Sequence, residues 1–170
     1  GGAISFDESR CLVPTFPNAT YHISRSNWDI AKSPSLRDRA SYLKENFIPL
    51  ENLKKLNLVD DNSEIIPGIS SYVVNGHTIG QQLIKVESLE QVILFCSDLI
   101  PLRSHLRIPW IMGYDLNASK SLEEKIILLE LASNNNWWLF FYHDPCTIAV
   151  RIKKGKKYYS VIDEVLKSDE

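Results

Sequence analysis

The 170-residue sequence predicts an α/β architecture in which helices pack on the faces of a sheet. Three observations carry that prediction. Short runs rich in Val, Ile, Leu and aromatic residues recur from the middle of the chain onward, separated by Asp-Asp-Asn, Pro-Gly and Asn-Gly turns. Other stretches, around Trp28 and in "SLEEKIILLELASNN", carry helix signals instead. No internal repeat, low-complexity tract or linker-like stretch interrupts the chain, so residues 1–170 read as one domain.

Taken in order, the first twenty residues form an extended lead-in marked by Pro14 and Pro17, ending in a short strand near Thr20–Ile23. Ser and Asn residues before Trp28 are N-cap candidates for a first helix. A second helix is predicted from about Ser35 to Asn46, since Leu36, Ala40, Leu43 and Phe47 fall at helical spacing, and Pro49 closes it. "KLNLVD", "SEIIPGISSYVV" and "QQLIKVES" then read as strands, and the nearly all-apolar "QVILFCSD" suits a buried one. "SLEEKIILLELASNN" is the clearest helix: Ser121 is its cap, Glu124 completes a capping box, and Ile127, Leu128 and Leu131 form its buried stripe. Trp137 to Tyr142 in "WWLFFYHDP" reads as a strand buried on both faces, with Trp137 and Trp138 in the core. "TIAVRIKKGKKYYSVI" is a closing hairpin, followed by a polar tail.

Composition excludes several classes. With 44% hydrophobic and 24% charged residues the sequence is that of an ordinary globular protein. A net charge of −2 and a pI near 6.1 give no reason to expect nucleic acid as a partner. The basic cluster at 151–159 reads as a solvated turn around Gly155. No stretch approaches the ~20 apolar residues of a membrane helix. The three cysteines, Cys11, Cys96 and Cys146, show no metal-knuckle or CxxC spacing and read as reduced thiols in a cytoplasmic protein. The start "GGAISFDESR", without methionine or signal peptide, reads as interior or processed.

The chemistry collects at strand ends. "SYVVNGHTIG" runs out at His77, "VILFCSD" at Asp98 and "WWLFFYHD" at His143. Strand ends are where layered α/β folds place ligand-bearing loops. Two imidazoles and a carboxylate suit a borderline cation such as zinc. The three lie 21 and 45 residues apart, so spacing alone leaves a plainer account open. In that account His77 fills a turn, Asp98 caps the next segment and His143 bonds a backbone carbonyl.

Taken together, "GHTIGQQ", "LFCSDLIP" and "FFYHDP" resemble the Gly-His-Thr-x-Gly-His motif, the strand-ending aspartate and the last histidine of the metallo-β-lactamase superfamily. "LIPLRSHLRIPWIMGYDLNASKSLEEKIILLELASNNNWWLFFYHDP" resembles the branch that contains quorum-quenching lactonases. The resemblance implies a metallo-β-lactamase-like αββα sandwich, of which this chain is mainly the C-terminal half. It implies His77 on a first metal, Asp98 bridging two metals and relaying a proton, and His143 on the second. The metals would be zinc, with manganese, iron or cobalt as alternatives. The implied reaction is hydrolysis of a small-molecule lactone or ester; thioester or phosphoester hydrolysis, or a non-catalytic binding module on the same fold, are the alternatives.

Two departures qualify these expectations. The family's His-x-His-x-Asp-His motif is absent, since His22, His77, His105 and His143 are well separated. That motif is typically followed by a glycine pair, and the chain begins Gly1-Gly2, so the expectation is a chain that starts just after it. Such a chain would be inactive alone, with one face of "VILFC" and "WWLFF" uncovered and in need of the N-terminal segment or of self-association. Gln81 stands where the family often has histidine, a change outside the ligand set. The segment after Asp98 offers His105, Trp110, Met112 and Tyr114 as substrate-pocket candidates, although for His105 a packed crossover with the histidine satisfied by backbone is the reading slightly favoured. Asp115 is a candidate to orient a ligand histidine, and Asp144 or a carbonyl to orient His143.

Overall fold

A computed structural model describes residues 2–168; Gly1 and the last two residues of the polar tail lie outside the described residues. The chain packs as two compact units, Gly1–Asp60 and Asp61–Glu170.

In the first unit, β1 (Ile4–Phe6) and β2 (Leu12–Pro14) form an antiparallel pair. β3 (Tyr21–Ser24) leads into α1 (Arg25–Lys32), which Ser24 caps by accepting the Asn27 N–H at 3.2 Å. The expected helix over Ser35–Asn46 does not form; this span holds turns and a three-residue 3₁₀ segment, Lys44–Asn46. Local bonds win there. Ser35 Oγ accepts the amides of Arg37 and Asp38 and donates to the Asp38 carboxylate at 2.7 Å. The helical stripe finds no core: Leu36 is 83% exposed. Pro49 opens α2 (Ile48–Asn52), a position proline favours, and so it starts a helix instead of ending one. β4 (Leu56–Val59) then pairs in parallel with β3.

The second unit is a seven-stranded sheet. Its strands are β5 (Glu64–Ile66), β6 (Ile69–Val74), β7 (Gln81–Ser88), β8 (Gln91–Phe95), β9 (Trp138–Phe140), β10 (Thr147–Lys154) and β11 (Tyr159–Leu166), in the order 11-10-9-8-7-6-5. All neighbours are antiparallel except β8 and β9. That parallel pair requires a crossover, supplied by residues 96–137 with the helix α3 (Ala118–Asn134). One sheet face holds the core: Leu83, Leu94, Leu139 and Val150 have no exposure, and α3 adds Leu129 and Ala132. On the opposite face the register aligns Ile69, Val86, Ile93 and Trp138 in one row. There Ile93 is 44% and Val86 40% exposed, so β8 is buried on one side only. Arg151 lies over the Trp138 ring at 4.9 Å and pairs with Asp163 at 2.6 Å.

The chemistry of α3 departs from its sequence pattern. Its cap is Asn117, whose side chain accepts the Lys120 N–H, and Ser121 lies inside the helix. Glu124 is not free to complete a capping box, because its two oxygens accept the amides of Asn75 and Gly76 at 2.9 and 3.0 Å. The buried stripe is Ser121, Lys125, Leu128, Leu129 and Ala132, while Ile127 is 61% and Leu131 39% exposed. Among the described residues no helix is long and apolar enough to cross a membrane. All three cysteines are unpaired, and burial pushes the Cys96 thiol up.

Lys125 is the least expected member of the core, since lysine is almost never fully buried. Its ammonium donates to the carbonyls of Arg107 and Trp110. Burial lowers its pKa to about 8 from 10.5, against the opposing charge of Asp115. The folded state therefore releases the proton at lower pH than the unfolded chain. Between those values the unfolded state binds more protons, so stability rises with pH there. We predict a gain of up to about 1.4 kcal/mol per pH unit between pH 8 and 10.5 that Lys125→Met abolishes. Urea unfolding of both proteins across that range checks it; parallel pH profiles contradict it.

Candidate functional site

The topology brings three loops to one edge of the second unit's sheet. β8 and β9 run parallel, so Asp98 and His143 leave the same end, and the β6–β7 connection carrying His77 lies there too. Each side chain has a local reason for its place. Asn75 closes the β6–β7 loop by accepting the Gly80 N–H at 2.9 Å. The loop is fastened to α3: Glu124 takes two of its amides, while the carbonyls of Gly76 and His77 accept the N–H groups of Asn117 and Leu116. Gly76 sits so close that a Cβ there would lie 2.3–2.5 Å from Ser121 atoms, which explains the glycine before His77. Beyond β8, Ser97 adopts a left-handed φ of 48°, a strained conformation that turns the chain at Asp98.

Asp98 is the centre of the cluster. His77 Nε2 lies 3.5 Å from its Oδ2, and His143 Nε2 lies 3.1 Å from its Oδ1. Gln81 Nε2 donates to Oδ2 at 3.2 Å, and the Tyr142 hydroxyl donates to Oδ1 at 3.0 Å. The carboxylate thus faces one imidazole on each oxygen. On the far side of His77, Nδ1 meets the buried carboxylate of Asp115 at 2.8 Å, the outer acceptor that the sequence nominated. Tyr114 packs edge-on against the His77 ring at 5.7 Å.

Asp144 has a different role from the one considered. Its carboxylate accepts the amides of Thr147, Arg103 and Cys146, and no hydrogen bond joins it to His143. Burial pushes Asp144 up, but those three N–H groups and Lys167 outweigh it and hold the carboxyl below its ordinary value. His105 is not backbone-satisfied at Nδ1, which is buried with no hydrogen-bond partner among the described residues. Burial and the charge of Lys125 hold its pKa low, opposed by Asp115. Among the described residues, no hydrogen bond or ring contact joins His105, Trp110 or Met112 to the three strand-end residues.

Sequence reasoning missed Tyr142. It stacks on His143 with ring centroids 3.8 Å apart as well as bonding Asp98. Burial, then the charge and hydrogen bond of Asp98, push its phenol up to about 12, so it remains a donor. Its adjacency to His143 was the available signal. Gln81, read from the sequence as a change outside the ligand set, makes direct contact with Asp98, and its Oε1 is buried with no hydrogen-bond partner among the described residues.

The donors suit zinc in kind and in spacing. Two ligands on one tetrahedral ion, each at ~2.0–2.1 Å, lie roughly 3.3 Å apart, between the two imidazole–carboxylate separations observed. They fall short in number. Each half offers one imidazole nitrogen and one carboxylate oxygen, whereas an open zinc site takes three protein ligands. Among the described residues no group of three or more His, Cys, Asp or Glu side chains is assembled to hold a metal ion.

If Asp115 fixes the His77 ring, Nδ1 carries the proton and Nε2 stays available toward Asp98. Asp115→Asn should then produce a mixed tautomer population at His77, read from imidazole ¹⁵N shifts. Unchanged shifts would show that Asp115 does not set the tautomer.

Comparison with known proteins bears on the fold. No family model and no curated protein matches the sequence. Among solved structures, a probable metal-dependent hydrolase from Staphylococcus aureus matches with a TM-score of 0.83 at 25% identity, over 92% of this chain and 55% of that one. The hydrolase AbOPH of the beta-lactamase superfamily matches at 0.77 and 20% identity, over 92% of this chain and 58% of that one. AidC, a dizinc quorum-quenching lactonase, matches at 0.76 and 20% identity, over 96% and 60% respectively. The chain therefore spans less than two thirds of the length of these structures. Over that span it has the metallo-β-lactamase fold that these hydrolases share.

Proposed function

We propose that this chain contributes half of the metal centre of a metal-dependent hydrolase that opens lactone or ester bonds. The observation that carries the reading is the meeting of His77 and His143 on opposite oxygens of Asp98. The fold supports it, as does the dizinc lactonase among the structures that share the fold. In this reading His77, Asp98 and His143 would be this chain's share of the residues that hold the ions. A pair of divalent ions would supply Lewis acidity to the attacking water and to the carbonyl oxygen. Asp98 would take up the proton that the water loses, and Asp115 would keep Nε2 of His77 turned toward the centre. Tyr114 and Tyr142 pack against the two imidazoles, are themselves exposed, and would face substrate.

The remaining metal ligands come from outside residues 2–168, on this account, and the element that brings them also covers the row Ile69, Val86, Ile93 and Trp138. The donor count and the half-exposed apolar row both support that assignment. The isolated 170-residue chain would then be inactive.

The test uses the full polypeptide as its gene encodes it, assayed for metal by plasma mass spectrometry and for hydrolysis of N-acyl homoserine lactones of short and long acyl chain. The expected result is about two ions per protein and a loss of about 100-fold or more in kcat/KM in His143→Ala. A metal-free active protein, or a rate indifferent to His143→Ala, defeats the proposal.

A further inference from the structure

A cavity borders the crossover segment of the second unit. It is a groove of about 710 Å³, bounded by the crossover segment 102–110, by residues 144–147 and by the start of β11. That size is within the ~300–1,000 Å³ range of small-molecule sites. Neither His77, Asp98 nor His143 lines it.

One wall of the groove carries an exposed cation. The Arg107 guanidinium lies over the Trp110 ring, its carbon 4.9 Å from the ring centroid. The turn carrying this pair is closed by Trp110 N–H donating to the Arg107 carbonyl at 3.0 Å. Beneath it, the fully buried Lys125 ammonium donates to the carbonyls of both residues. The two walls are tied by the Asp144 carboxylate, which accepts Arg103 N–H from one and Cys146 and Thr147 N–H from the other.

The charges that face the groove do not balance. Asp144 is engaged by those amides, and its carbonyl accepts the Lys167 ammonium at 2.8 Å. Arg103 is paired with Glu164 at 3.4 Å. Arg107 makes no ion pair among the described residues. A guanidinium over an indole keeps its planar fork available to a carboxylate or phosphate. Beside it, Leu106, Tyr159 and Val161 supply an apolar floor.

We infer that this groove binds a small organic anion, with its carboxylate or phosphate on Arg107 and its apolar body against Trp110, Leu106 and Tyr159. The role is separate from the hydrolytic centre, and Trp110 serves this groove.

The test titrates the protein with 4-phenylbutyrate, phenyl phosphate and the neutral 4-phenylbutanol, following the Trp110 indole N–H by NMR and heat by calorimetry. At least one anion should saturate, with binding weakened at least about tenfold by Arg107→Ala and less by Arg107→Lys. The carboxylate and phosphate arms show which head group the fork prefers. His143→Ala should leave binding unchanged, which separates this proposal from the hydrolase reading. Equal binding of the alcohol, indifference to Arg107→Ala, or no saturation by either anion at about 10 mM overturns it.

Discussion

The parallel pairing of β8 with β9 is the constraint on which the second unit depends. Parallel neighbours cannot be joined by a tight turn, so the chain must cross the sheet between them. That crossover is residues 96–137, and much of the unit's polar chemistry lies on it or is fastened to it. The pairing itself sends Asp98 and His143 out of the same sheet edge. The crossover loop supplies Asp115 to His77, and α3 holds the His77 loop by way of Glu124. One topological requirement thus places Asp98 and His143 and supplies the contacts that fasten the His77 loop.

The helix of that crossover performs three tasks with adjacent residues, which explains its irregular pattern. Leu128, Leu129 and Ala132 close the core. Glu124 spends its carboxylate on the amides of Asn75 and Gly76. Lys125 carries a buried ammonium to two carbonyls of the 107–110 turn. A helix optimised for packing alone would bury Ile127 and Leu131, which this one leaves partly exposed. Its residues at 124 and 125 act on the two loops on either side.

What could be read from the sequence follows from this division. The strands were legible because apolar runs between turn residues have few alternatives, and the strand-end positions of His77, Asp98 and His143 came with them. Asp115 was legible as a carboxylate in the right loop. The cap of α3 was not, because Ser121 and Glu124 match a capping box whose second member is drawn to another loop by tertiary contacts. The helix expected at 35–46 failed for the opposite reason: its apolar spacing was sound, but nothing packs on Leu36, and Ser35 offers the backbone a local alternative. Buried Lys125 contradicts the ordinary rule for lysine and had no sequence signal. Tyr142 was hidden in an apolar run where an aromatic residue reads as core.

The central claim is that Asp98 divides its two oxygens between two metal-bearing imidazoles. Anomalous diffraction at the zinc edge, from crystals of the full polypeptide grown with zinc, addresses it directly. The account predicts two peaks, each about 2.0–2.2 Å from a different Asp98 oxygen, one also at His77 Nε2 and the other at His143 Nε2. No peak within coordinating distance of Asp98, or peaks that exclude either histidine, would contradict it.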